Sequence, residues 1–129
     1  MNEETKIKWL RIVIIVKIIV MVLLWGLPLW LAPASLLGML GVAMPADPFF
    51  MRMFGCVMIG LVFLYWFGYQ DPVKNRDIIK YGVIDNTLSF LTMLGVGFTT
   101  GITNPITWVS AGLVLLFAIA FYVLMPAKK

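Results

Sequence analysis

Two charges of opposite sign lie inside runs that are otherwise apolar. Lys17 falls within the run 9–31 and Asp85 within the run 78–101. An isolated charge deep in a bilayer costs about 2.5–3.5 kcal/mol even on lenient insertion scales. Counted from the polar flanks near Trp9 and Ile78 at about 1.5 Å per residue, both stand roughly 10–12 Å into the apolar layer. Equal depth and opposite sign predict an ion pair or water-bridged pair, with Asn86 and Ser89 supplying hydrogen bonds. Two plainer readings compete: the pair only locks helix register, or the long Lys17 stem snorkels to the headgroups.

Asp85 also belongs to a stripe. Tyr81, Asp85, Ser89, Thr92 and Thr99 are spaced four, four, three and seven apart, which is one narrow face of a helix. A carboxylate on a hydroxyl-lined face must turn to other helices or to a polar cavity. The candidate polar contacts for a ligand are therefore Tyr81, Asp85, Asn86, Ser89 and Thr92, with Lys17 opposite. Arg52 stands near the other end of the molecule and shares a face with Cys56, Ile59 and Phe63. Turned inward, it reaches toward Thr99, Thr103 or Asn104 and can hold an anionic headgroup or a carbonyl; turned outward, it anchors the interface.

Other chemistry is thinly supplied. Histidine is absent and Cys56 is the only cysteine, which removes His-ligated haem, iron–sulfur clusters, common zinc sites and an internal disulfide. Nine methionines invite a Cu(I) reading, but without histidine or a second cysteine they make no ligand set. No metal and no cofactor is expected. No nucleophile signature accompanies Lys17 and Asp85, so an enzyme is not expected either.

The elements that must position these residues follow from hydropathy. The chain of 129 residues is 62% hydrophobic and 12% charged, against about 45–50% apolar and a quarter charged in soluble domains. Spans are expected at about 9–31, 49–69, 78–101 and 106–125, each near the 20 residues that cross a bilayer. Ala32-Pro33-Ala34 resembles a leader cleavage site, but the first run is too long and carries Lys17, so a retained span is expected. Pro28 behind Gly26 predicts a kink. Trp25 and Trp30 suit one membrane interface, and Tyr65, Trp66 and Tyr69 the other. Segment 34–44 is too short to span and predicts a short interfacial helix capped by Ser35, lying in the outer interface or tucked over the bundle mouth, as a structural lid or a gate. Gly97 and Gly101 form a GxxxG, and Thr107, Ala111 and Ala118 share a face of the last helix, which allows close packing within the chain or between subunits.

Charge sets the orientation. Lys6, Lys8, Arg11, Lys74, Arg76, Lys80, Lys128 and Lys129 are eight of the ten basic residues and fall on one side of this arrangement. The positive-inside rule then puts both termini in the cytoplasm. The expected fold is a single all-α domain over 1–129: an integral membrane four-helix antiparallel bundle in the cell inner membrane.

The pattern resembles a known group. A lysine-bearing first span and a proline-rich apolar loop precede Phe49-Phe-Met-Arg-Met-Phe-Gly55. Gly68-Tyr-Gln-Asp-Pro72, a basic turn, and a third span with Asp85-Asn86 follow. Together they are similar to the small four-helix bacterial membrane proteins called BphX-like, within the broader DoxX-like set. The resemblance covers nearly the whole chain and implies a four-helix membrane fold without an established activity. Some DoxX-like proteins are associated with quinone-linked sulfur oxidation, which this chain, lacking a redox centre, does not inherit.

These features point to a membrane-embedded module that binds or passes a small, largely apolar, aromatic or lipid-like molecule along the polar seam. The rival is an accessory subunit whose seam only specifies packing. Membrane lipid is the expected partner, with a homo-oligomer or larger membrane assembly and no nucleic acid.

Overall fold

The computed structural model describes residues 1–101 and 104–128; Thr103 and Lys129, both used above, lie outside the described residues. The described residues are all-helical, without strands. Helix α1 (Glu3–Val20) runs through a π-helical turn (Met21–Gly26) into α2 (Leu27–Leu31), then α3 (Ala34–Met39), α4 (Phe49–Gln70), α5 (Arg76–Thr100) and α6 (Pro105–Val123).

Among the described residues, three helices are long and apolar enough to cross a membrane: Glu3–Leu31, Phe49–Gln70 and Pro105–Val123. The fourth expected span, 78–101, is helical but less apolar, because α5 carries Lys80, Asp85, Asn86 and four threonines. Most of that polarity is satisfied locally. The hydroxyls of Thr87, Thr99 and Thr100 donate to the carbonyls of Val83, Gly95 and Val96 one turn back.

Each long helix packs on two others. α1 touches α4 and α6, and α5 touches α4 and α6; across the two diagonals no Cα atoms come within 8 Å. One end gathers the basic residues. There the Glu3 carboxylate accepts the Ala127 N–H at 3.2 Å. Arg11 donates to the Gln70 carbonyl and Arg76 to that of Pro126. The chain therefore runs up, down, up and down, with both described termini at the charged end.

The expected kink is the π turn. Pro28 has no N–H to offer, and the Leu27 N–H reaches five residues back to the Val22 carbonyl. A Cβ on Gly26 would stand 2.8 Å from the Met21 carbonyl oxygen and closer still to Ile59. The same crossing explains Gly55, whose Cβ would collide with the backbone at Trp30 and Leu29. The far half of α4 thus leans on α2. Its other half meets α5, where Ile78 crosses Gly68 and Tyr65 crosses Gly82.

Some expectations fail here. Ser35 does not cap α3, whose N-cap is Pro33 without a side-chain bond. Trp25 and Tyr65 are buried rather than interfacial. Trp30, Trp66 and Tyr69 stay at the surface or partly so, the last two stacked with centroids 5.1 Å apart. Gly97 packs against the Trp108 ring of its own chain, and Gly101 ends α5 at φ 65. The GxxxG pair therefore serves packing within the chain and a left-handed cap.

Candidate functional site

Between the α1–α4 pair and the α5–α6 pair lies a cavity of about 340 Å³. Its walls are mostly apolar; Lys17, Asp85, Asn86 and Ser89 form a polar cluster on α1 and α5, and Ser110 and Thr107 line it from α6, Thr107 toward the far end. At the far end it is covered by Leu37, Leu40 and Val42. Leu37 is fully buried although α3 has only six residues. The short segment is tucked over the mouth of the cavity.

Lys17 is the centre of the polar floor. It is 2% exposed, so it does not snorkel. Its Nζ donates to the Asn86 Oδ1 at 2.7 Å and sits 5.0 Å from the Phe117 ring centroid, 5.1 Å from Tyr65 and 5.6 Å from Trp25. Three rings and one amide oxygen thus enclose the ammonium, each presenting negative charge density to it. The Asn86 amide is held in turn, donating to the Gly82 carbonyl at 2.5 Å. The Lys17–Asn86 bond crosses the α1–α5 diagonal that no backbone bridges.

The direct partner of Lys17 is therefore Asn86 and not Asp85. The two ion pairs among the described residues are Lys6–Glu3 and Lys80–Asp77. Asp85 lines the same cavity, half-buried, beside Asn86. The reason for the correction is angular. Consecutive helical residues differ by about 100°, and the inward face of α5 is Gly82, Asn86, Ser89, Met93 and Gly97 rather than the stripe through Tyr81 and Thr92. Its two end glycines let Phe121 and Trp108 press against the helix, with a Gly82 Cβ 2.7 Å from Phe121 and a Gly97 Cβ 2.7 Å from Trp108. Thr92 and Thr99 consequently face outward. Tyr81 is half-buried beside the Tyr65 ring, outside the cavity.

Arg52 does not join the site. Its guanidinium donates to the carbonyls of Leu29 and Ala32 and contacts the Met44 sulfur, closing the end of α2. Asn104 caps α6 and donates to the Gly41 carbonyl, which ties the two far-end connections together.

Several residues join the site that the sequence reading did not assign. Trp25 Nε1 donates to the Ser110 hydroxyl at 2.9 Å, both buried. In an ordinary helix the residue beneath Lys17 two turns on is Leu24; the extra residue in the π turn brings Trp25 there instead. Ser110 was findable as a lone small hydroxyl in the middle of the last apolar run. Tyr65 is fully buried, and its hydroxyl has no hydrogen-bond partner among the described residues.

In comparisons with known proteins, no family model matches this chain, and no curated protein or solved structure does.

Proposed function

We propose that this chain is a multi-pass protein of the cell inner membrane that binds, or passes, a small and largely apolar molecule in the cavity between its two helix pairs. In this reading α5 is the fourth crossing and the molecule is a four-helix antiparallel bundle, as the BphX-like resemblance also implies. Helix α3 lies at the outer interface, and both termini face the cytoplasm. The chain acts by binding and catalyses no reaction. Support comes from one observation above all: a cavity of about 340 Å³ with mostly apolar walls and a cluster of polar groups from α1 and α5, the composition that holds small ligands.

The accessory reading has its own support, since Lys17–Asn86 and Trp25–Ser110 tie helices together without any guest. One experiment separates the two. The wild-type chain and Ser89→Phe are purified from membranes and analysed by native mass spectrometry with extraction of co-purifying small molecules. Ser89→Phe fills the cavity from its half-buried wall. The binding reading expects a molecule held by wild type and lost in the variant. Identical contents in both folded proteins leave the accessory reading.

A further inference from the structure

The polar floor constrains the head of the guest, given the binding reading above. Lys17 spends one N–H on Asn86, and an ammonium has three. Among the described residues it makes no second hydrogen bond, so two of its donors lack an acceptor oxygen, and Lys17 lines the cavity. Asp85 makes no ion pair among the described residues, and it offers acceptor oxygens in the same lining. Among the described residues, Lys17 and Asp85 are the only ionisable groups lining the cavity, and their charges cancel. A guest with a net charge would leave that charge uncompensated in an apolar enclosure, which is strongly unfavourable. A guest without a polar head would leave the spare Lys17 donors without an acceptor.

We infer that the cavity selects an amphiphile whose head is an un-ionised hydroxyl, an alcohol or a phenol. One hydroxyl accepts from the Lys17 ammonium and donates to the Asp85 carboxylate. Ser89, about one turn along α5 from Asp85, offers a further partner. The chain or ring attached to that head extends along Met21, Leu24 and Met58 toward Leu37. From the level of Lys17 to that of Leu29 the helix rises about 18 Å, which suits a medium-length apolar tail.

The test uses three probes with the same tail: 1-decanol, decanoate and decylammonium. Each is titrated at pH 7.5 against the full chain in detergent, and apparent affinities are read from concentration-dependent thermal stabilisation. Ser89→Phe gives the background from general micelle effects. Decanol is expected to bind wild type at least tenfold tighter than either ion. Decanoate or decylammonium binding as tightly as decanol overturns the inference while leaving the binding reading intact. In Asp85→Asn the floor carries a net positive charge, and decanoate is expected to gain at least tenfold relative to decanol; an unchanged ratio also overturns the inference. The wild-type ranking decides the matter even if Asp85→Asn does not fold. Should none of the three stabilise wild type beyond the Ser89→Phe background, the binding reading fails and this inference with it.

Discussion

At the scale of single residues, Lys17 shows how a charge is kept inside an apolar molecule. Among the described residues its bond to Asn86 is its only hydrogen bond, and the three rings supply the rest. Asn86→Leu is expected to lower stability by about 1.5–3 kcal/mol, the worth of a buried hydrogen bond to a charged group. Lys17→Met on that background is expected to recover part of the loss, since no ammonium is then left without its oxygen. Thermal melts of the two single variants and the double variant give the coupling energy; additive changes would show that the two groups act independently. The sequence made Lys17 and Asp85 conspicuous because charges are rare in the spans. It ranked Asp85 above Asn86 because charge is the louder signal. What decides between neighbours 100° apart is which face is smooth, and Gly82 and Gly97, in line with Asn86, carried that information.

At the scale of elements, the glycines sort into those that a neighbour presses upon and those that it does not. A Cβ at Gly55 meets backbone of the crossing helix, which cannot turn aside, and one at Gly82 meets the Phe121 ring. Gly55→Ala and Gly82→Ala are each expected to cost about 1–3 kcal/mol, as overpacking does. Gly60→Ala and Gly95→Ala, with open space around both positions, are expected to be neutral or to gain up to about 1 kcal/mol from helix propensity. Unfolding of the four variants in one detergent checks the contrast. The long apolar runs and the short connections made the helices themselves legible. The burial of Trp25 was not, because tryptophan suits an interface and a buried site equally, and a π turn leaves no periodic mark. Arg52 was placed by periodicity on an inward face, but the carbonyls left open where α2 ends at Pro33 lie closer and hold it.

At the scale of the whole molecule, polarity is divided between one end and one interior seam. Leucine, isoleucine, valine and phenylalanine side chains cover much of the lateral surface, among them Leu23, Phe63, Leu88, Phe98 and Leu116. A soluble monomer rarely exposes so continuous an apolar surface. The charged end ties the first helix, the helix ends on either side of the 71–75 turn and the C-terminal tail together. If that end faces the cytoplasm, a membrane-impermeant maleimide added to intact cells labels Ala46→Cys and leaves Asn75→Cys unmodified, both built on Cys56→Ser. The reverse pattern would turn the molecule over, and labelling of both would place α5 outside the membrane.

The π turn carries one more implication. It amounts to one surplus residue between two stretches that face the same neighbours. Deletion of Leu23, which is exposed, removes that surplus and leaves everything on either side pointing as before, with Trp25 still under Lys17. Deletion of Val16, exposed as well, instead rotates the preceding helix by about 100° relative to Lys17 and drives Leu10 and Ile14 out of the core. The first shortened chain is expected to fold and the second to fail, so the wide turn marks the place in this helix where its length is free to change.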